Sequence, residues 1–371
     1  MRVAIDAIPL LIRSAGVKNY LYYWIRYLRE LAADEIRTVP DFAWRPLEHE
    51  RSQAARWPTL QALAWRALAN YTPLPVLQRQ ARGADVFHAT NLTRRPPRGP
   101  KLTATIHDLT SWTMPALHAR GNVRADRAFA SLLERADALI AVSQNTKNDA
   151  VRVLGLKPEK ITVIHSGIAP AFFAVTPEAV AAVRARYRLE RPFLLSVGTI
   201  EPRKNVDGLV RAYRALPPSL RQQFDLVLGG PMGWAAPETA ALVHSVRYLG
   251  YVPESDLPPL TAAAALFAYP SFYEGFGFPV AQAMAAGTAV VTSNTSSLPE
   301  IAGDAAILVD PHSERELRDA LERMLLSAGL RDALAARGRH RAAQFHWEEC
   351  ARRSLDFFRS AASPAPPAAH G

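Results

Sequence analysis

Short apolar runs alternate with amphipathic stretches from one end of the chain to the other. Strands separated by helical patterns mark parallel βαβ units rather than hairpins, so the pattern predicts an α/β fold. In the first half strands are predicted at Arg2–Asp6, Val86–His88, Leu102–Ile106, Ala138–Val142 and Ile161–His165, with a helix from about Val17 to Leu31. Trp57–Arg82 reads as helix interrupted at Pro73 and Pro75. The second half predicts strands at Phe193–Val197, Asp225–Leu228, Val246–Leu249, Leu266–Tyr269, Ala289–Thr292 and Ala306–Val309. Each half opens strand, loop, helix, and this duplicated plan predicts two doubly wound, Rossmann-like sheets facing a cleft.

Ala169-Pro170 and Thr176-Pro177 interrupt the pattern, which places the boundary between Ile168 and Pro192 and the domains at residues 1–185 and 186–345. Ser313-Glu314-Arg315-Glu316 reads as a capping box, with Ser at the N-cap and Glu three residues on serving each other's backbone N–H. A last helix is predicted from about Trp347 to Arg359, within residues 346–361; the proline-rich tail at 362–371 reads as disordered.

With 371 residues and 49% hydrophobic content the chain can bury two ordinary cores, which excludes a disordered or fibrous protein. A single cysteine, Cys350, excludes an internal disulfide and a thiolate zinc cluster, and reads as a small buried hydrophobe. The first apolar run is broken at Asp6, too soon for a signal peptide. The longest uncharged run, Gly275 to Pro299, is too rich in Gly, Ser, Thr and Asn for a spanning helix, so a soluble or peripheral protein is expected. The formal charge of +10 suits nucleic acid, an anionic membrane surface or a phosphorylated substrate. Residues 1–185 hold 25 basic and 15 acidic side chains, and residues 186–371 hold 19 of each. The anionic partner therefore belongs to the first half, unless its arginines are merely solvated.

Two segments carry candidate chemistry. In Ser271-Phe272-Tyr273-Glu274-Gly275-Phe276-Gly277-Phe278-Pro279, a strand ends in a loop whose glycines let a ligand approach the backbone, and Pro279 suits the first turn of the next helix. A helix N-terminus there suits a phosphate, and Glu274 can accept hydrogen bonds from ligand hydroxyls. In Gly198-Thr199-Ile200-Glu201-Pro202-Arg203-Lys204-Asn205, two adjacent cations follow a strand end, where α/β sheets bind ligands. Arg203 offers a planar fork and Lys204 a compact charge, a pair suited to a diphosphate.

In this order and spacing, these segments resemble the retaining GT-B glycosyltransferases of family 4. The resemblance covers nearly the whole chain and includes Gly16, His107-Asp108, Ala141-Val142-Ser143, His165-Ser166-Gly167-Ile168, Gly250-Tyr251-Val252 and Ser297-Leu298-Pro299-Glu300-Ile301. The Gly-Thr-Ile-Glu-Pro-Arg-Lys-Asn segment is most similar to bacterial mannosyltransferases of surface polysaccharide assembly. The resemblance implies a GT-B fold whose C-terminal helix crosses back to the first domain. It implies a nucleotide-diphosphate sugar as co-substrate, with GDP-mannose the leading donor, and neither cofactor nor metal. Arg203 and Lys204 would neutralise the diphosphate, beside Gly198 and Thr199, and Glu274 would hold sugar hydroxyls. Backbone groups of Gly275, Phe276, Gly277 and Phe278 would reach the sugar and phosphates, and Gly230, Tyr251 and Val252 lie where the base is read. Gly16 would let a first-domain loop close over the phosphates. His107 would contact the transferred sugar, with Asp108 beside it; the competing readings are a structural histidine and an acid that braces its loop.

Two positions depart from the family pattern. Many members carry Arg directly after the strand-end glycine, where this chain has Thr199. A second Glu, expected on the ribose eight positions after Glu274, is here Gln282. An amide in place of that carboxylate costs on the order of 1–2 kcal/mol, about tenfold in donor affinity. No Asp-x-Asp pair occurs, so cations and a helix end stand in for a metal. The implied acceptor is a saccharide, in polysaccharide assembly usually linked to polyprenyl diphosphate. Tyr20–Tyr27 and Trp57–Arg82 interleave aromatics with arginines, as at an interfacial helix. Expected is a cytoplasmic protein in peripheral contact with the anionic inner face of the plasma membrane; nucleic acid is set aside for want of any binding module. The rival functions are a sugar-nucleotide 2-epimerase, for which the needed set of carboxylates is not found, and a weakened nucleotide-sugar-binding paralogue.

Overall fold

The computed structural model describes residues 1–11, 16–40, 56–72, 74–117, 120–234 and 237–363. It divides into two compact units, Met1–Gly167 with Trp347–Gly371, and Ile168–His346.

The first unit holds a parallel sheet of β1 (Val3–Asp6), β2 (Ile36–Val39), β3 (Val86–Ala89), β4 (Lys101–Ile106), β5 (Ala138–Ala141) and β6 (Ile161–Val163). The strand order is β2-β1-β3-β4-β5-β6. Every residue of β1 and β3 is buried, as continuous apolar runs must be when helices cover both faces. The edge strand β2 was not visible in the pattern: four residues long with Arg37 exposed, it carries too little periodicity to read. The helices are α1 (Gly16–Ala32), α2 (Arg56–Tyr71), α3 (Val76–Gln80), α4 (Thr110–Thr113), α5 (Arg120–Arg135) and α6 (Gln144–Leu154). On α1, Tyr20, Leu21, Trp24, Ile25 and Leu28 repeat at helical spacing and turn one face inward. The predicted break at Pro75 falls between α2 and α3; Pro73 lies outside the described residues.

The second unit is a parallel sheet ordered β12-β11-β10-β7-β8-β9. Its strands are β7 (Phe193–Val197), β8 (Asp225–Gly229), β9 (Arg247–Tyr248), β10 (Leu266–Tyr269), β11 (Val290–Ser293) and β12 (Ala306–Val309). Its helices are α7 (Pro177–Arg186), α8 (Val206–Arg214), α9 (Pro218–Gln223), α10 (Pro237–His244), α11 (Leu257–Ala262), α12 (Phe278–Ala285), α13 (Leu298–Ala302), α14 (Glu314–Leu326) and α15 (Ala328–Ala342). The division falls at Gly167/Ile168, ahead of the expected 185/186, because α7 packs on α11 and so belongs here. Arg186 and Tyr187 tie that packing by donating to the Asp256 carboxylate at 2.6 and 2.8 Å. With the boundary so redrawn, the first unit holds 27 basic and 17 acidic side chains and the second 17 of each, so the charge asymmetry persists.

The helix cap at α14 differs from the expected box. Ser313 Oγ accepts the Glu316 N–H at 3.2 Å, but the Glu316 carboxylate accepts from the Asp310 N–H, since the Ser313 N–H already donates to the Asp310 carbonyl. The last helix, α16 (Trp347–Ala362), returns to the first unit and packs on α1, where Trp24 Nε1 donates to Ser354 Oγ at 2.9 Å. Cys350 is a buried free thiol on its inner face. The tail expected to be disordered lies, from residue 364, outside the described residues. Among the described residues no helix is long and apolar enough to cross a membrane.

Candidate active site

In the second sheet β7 lies between β8 and β10, and the chain leaves β7 toward β8 but leaves β10 toward β11. The carboxyl ends of β7 and β10 are therefore the topological switch point, where neighbouring loops part and open sheets bind ligands. Both candidate segments sit there. The loop after β7 is held by its neighbours through the backbone: Gly198 N–H donates to Gly229 O at 2.9 Å, and Ile200 N–H to Pro231 O at 2.9 Å. Gly230, at φ +132°, approaches so closely that a Cβ there would lie 2.0 Å from Gly198 O. Only glycine fits this crossing.

After that loop a 3-10 turn, Pro202–Lys204, delivers both cations toward the loop after β10. Lys204 Nζ donates to Glu274 Oε1 and to the Tyr269 hydroxyl, each at 2.6 Å. The same carboxylate oxygen lies 3.0 Å from the Tyr269 hydroxyl and 2.8 Å from that of Ser271. Arg203 Nη1 is 3.0 Å from Glu274 Oε2 and donates to Tyr273 O at 2.7 Å, while its Nη2 donates to Glu201 Oε1 at 2.7 Å. The Glu274 main chain is clamped as well, its N–H donating to Ser296 Oγ and its carbonyl accepting from Ser297 Oγ, both at 2.9 Å.

Electrostatics follow from that crowding. Burial alone raises the Glu274 pKa, but Arg203, Lys204 and the hydrogen bonds from Lys204 and Ser271 outweigh it and hold the carboxyl at about 2. Burial lowers the Lys204 pKa against the pull of Glu274. Burial also raises the Tyr269 phenol, and Glu274 adds to it. The centre is thus an ionised carboxylate caged by two cations and two hydroxyls. A small pocket beside it is lined by Gly198, Thr199, Lys204 and Tyr269, among others.

The remaining predicted residues of this unit surround the cage. Gly275 and Gly277 flank buried Phe276, and Gly277 is the N-cap of α12. The Phe276 ring packs edge-on against Phe278 at 5.0 Å and Phe345 at 5.6 Å, so these phenyl groups build the loop from within. Gln282 is half-buried on α12, and among the described residues its amide makes no hydrogen bond. Val252 turns its side chain into the unit, while Tyr251 stands exposed after β9.

Gly16, His107 and Asp108 belong to the first unit. Gly16 opens α1 and is exposed. His107 follows β4 half-buried, the Tyr20 ring edge-on to it at 4.8 Å, and burial of the imidazole lowers its pKa to about 4 against the pull of Asp108. Asp108 Oδ1 accepts from the Thr110 N–H at 3.1 Å and hydroxyl at 2.8 Å, which braces α4. Sequence reasoning missed Glu201, Tyr269, Ser271 and Ser296 as members of the site. Among the described residues no group of three or more His, Cys, Asp or Glu could hold a metal ion.

A parallel sheet with cations and a carboxylate at its switch point, joined in one chain to a second parallel α/β unit, defines a two-domain α/β protein with a polar ligand site on its second sheet. Residues 14–172 match the family described as Glycosyltransferase Family 4, and residues 183–341 that described as Glycosyl transferases group 1. The chain is 34% identical over 282 residues to the O-antigen chain mannosyltransferase B of Escherichia coli, covering 74% of each. It is 30% identical over 353 residues to the serotype-specific mannosyltransferase WbdA of the same organism, covering 89% of this chain but 42% of that protein. The crystal structure of Anabaena Alr3699/HepE in complex with UDP and glucose superposes with a TM-score of 0.72 at 20% identity, covering 97% of this chain and 100% of that one, a likeness of fold. The chain belongs to glycosyltransferase family 4.

Proposed function

We propose that this glycosyltransferase moves a hexose, with mannose from GDP-mannose the leading donor, onto a lipid-linked saccharide of a surface polysaccharide, retaining the anomeric configuration and using no metal. The observation that carries the reading is the meeting of Arg203, Lys204 and Glu274 at the switch point of the second sheet. Mannose as the sugar rests on the likeness to mannosyltransferases. Two exposed aromatics, Trp234 and Tyr251, on the loops after β8 and β9 suit a flat nucleobase. As the glycosidic bond breaks, negative charge builds on the leaving phosphate, and Lys204 and Arg203 stabilise it there. Glu274 accepts hydrogen bonds from the sugar, and Gln282 takes the ribose. Leaving phosphate and acceptor hydroxyl share one face, so the phosphate oxygen takes the acceptor's proton while the acceptor oxygen bonds to the anomeric carbon.

The first unit supports an amphipathic acceptor. Leu60, Leu68, Tyr71 and Leu74, on α2 and just beyond it, are 42% to 65% exposed. The arginine-rich loop after β3 lies against the same stretch: Arg95 Nη1 donates to Thr72 O at 2.8 Å, and Arg98 exchanges backbone hydrogen bonds with the Gln78 amide at 2.7 and 2.8 Å. Apolar side chains beside arginines suit a prenyl chain, its diphosphate and the anionic surface that holds both.

Calorimetric titration with GDP-mannose, UDP-glucose, UDP-N-acetylglucosamine and dTDP-rhamnose tests the donor. GDP-mannose should bind tightest, and the donor reading fails if none binds more tightly than about 1 mM. Transfer should survive excess chelator, and loss of activity on chelation would end the metal-free reading.

A further inference from the structure

The charges of the cage cancel. Arg203 and Lys204 bring two positive charges, Glu274 and Glu201 two negative, and all four side chains are largely buried together. A nucleoside diphosphate entering here meets cations that are already neutralised. The two carboxylates are not held alike. Glu274 is locked by three donors on Oε1, by Arg203 on Oε2 and by serine hydroxyls on its main chain. Glu201 lies at the N-terminal edge of the 3-10 turn with 6% of its surface exposed. Its carboxylate touches Arg203 at 2.7 Å and lies 4.0 Å from Lys204. Among the described residues it acts chiefly on the two cations, with a smaller electrostatic effect on the Tyr269 hydroxyl.

We propose that Glu201 is a built-in counter-ion that opposes the diphosphate, lowering the affinity of the donor site and hastening release of the nucleoside diphosphate product. The inference rests on the donor-site reading above. Its carboxylate aims the Arg203 fork and also cancels part of the field that Arg203 and Lys204 would otherwise direct at phosphate. An amide separates the two effects, since its oxygen can still accept from Arg203 Nη2 while the charge is gone. In a buried site the loss of one opposing unit charge within a few ångströms of a ligand anion changes affinity on the order of tenfold or more.

The test compares the full-length chain with Glu201→Gln, Glu201→Asp and Lys204→Gln variants, titrated calorimetrically with GDP and with UDP, alongside the product-inhibition constant in steady-state transfer. Glu201→Gln should bind whichever diphosphate the native chain prefers about tenfold more tightly, with the inhibition constant falling by the same factor. Glu201→Asp, which keeps the charge, should show no such gain, and Lys204→Gln should bind more weakly. A merely structural acid cannot yield tighter binding when removed. Unchanged or weaker binding by Glu201→Gln, with Lys204→Gln still impaired, would overturn the counter-ion and leave Glu201 as a prop for Arg203. An equal gain in Glu201→Asp would overturn it too, because charge would not be the cause. If Lys204→Gln binds as the native chain does, or the native chain binds neither nucleotide, the donor-site reading itself falls and the counter-ion with it.

Discussion

Replacing Gly230 with alanine should loosen the second unit far more than the same change at Gly250, although both glycines sit on loops at the carboxyl edge of one sheet at positive φ, +132° and +67°. At Gly250 the added Cβ meets nothing within 4 Å, so the substitution carries only a left-handed backbone, about 1 kcal/mol, partly offset by a stiffer unfolded chain. At Gly230 the Cβ would lie 2.0 Å from Gly198 O and 2.6 Å from its carbonyl carbon, so the Gly198 peptide must retreat by on the order of 1 Å. That retreat strains two backbone bonds, Gly198 N–H to Gly229 O at 2.9 Å and Gly230 N–H to Gly250 O at 2.6 Å. Two such bonds at about 1 kcal/mol each, with backbone strain of roughly 1–3 kcal/mol, place the loss at about 2–4 kcal/mol after the unfolded-state offset. Hydrogen exchange read by mass spectrometry resolves it, since the opening free energy of the β7 and β8 amides should fall by that amount in Gly230→Ala and by under about 1 kcal/mol in Gly250→Ala. The displaced loop carries Thr199 to Lys204, so nucleotide affinity should drop at least about tenfold in the first variant alone. Equal effects of the two substitutions would refute the close crossing as the reason for the glycine.

Restoring the family pattern with Gln282→Glu should tighten nucleotide-sugar binding about tenfold by calorimetry if the half-buried amide stands at the ribose; no change would mark the amide as an adapted partner. Arg79→Glu, Arg95→Glu and Arg98→Glu together should abolish co-sedimentation with vesicles containing anionic lipid, and unimpaired binding would remove α2 and its arginine loop from the membrane reading. Acid should destabilise the first unit through His88, whose ring lies between Thr103 and Thr105 at 3.0 Å from each hydroxyl and whose pKa burial, with His107 adding, lowers to about 3. The folded state refuses a proton that the unfolded state accepts near pH 6.5, so this contribution is whole above pH 6.5 and is lost as pH falls toward 3, at up to about 1.4 kcal/mol per pH unit. A His88→Gln variant should flatten that slope in urea unfolding of the first unit, and an unaltered slope would mean that other groups govern it.

The alternation of apolar runs and helical patterns was enough to place eleven of the twelve strands among the described residues, because fully covered parallel strands need continuous apolar stretches. The division lies at the start of the expected range rather than at 185/186, for a physical reason. Prolines at 170 and 177 read as interruptions, yet Pro170 opens a 3-10 turn and Pro177 is the first residue of α7, capped by Thr176 Oγ1 accepting the Ala179 N–H at 3.3 Å. Proline starts these elements rather than breaking them. At the site, the residues named from the sequence stood beside glycines or formed an unusual cation pair after a strand. Tyr269 gave no such signal, since the last residue of a buried apolar strand looks like a core aromatic until its hydroxyl meets Lys204. Glu201, two residues before Arg203, carried no reading of its own from the sequence. Folding the loop after β7 against the loop after β10 turns that loop into a buried counter-ion network, and no linear pattern records the juxtaposition.

The two departures from the family pattern belong to one balance. On the proposed donor reading, Thr199 stands where a phosphate-side cation is expected and Gln282 where a ribose-side carboxylate is expected. A chain with only the first change would set Glu201, Glu274 and a ribose carboxylate against two cations, which offsets part of what the ribose carboxylate contributes to donor binding. With both, Arg203 and Lys204 face Glu201 and Glu274 at net zero. The amide at 282 therefore fits a site that has lost a cation better than it fits a site that has lost its function. On this reasoning the gain from Gln282→Glu carries an opposing term, the added negative charge, and Thr199→Arg in the same chain should release it. The double variant should then bind more tightly than the two single changes predict by addition.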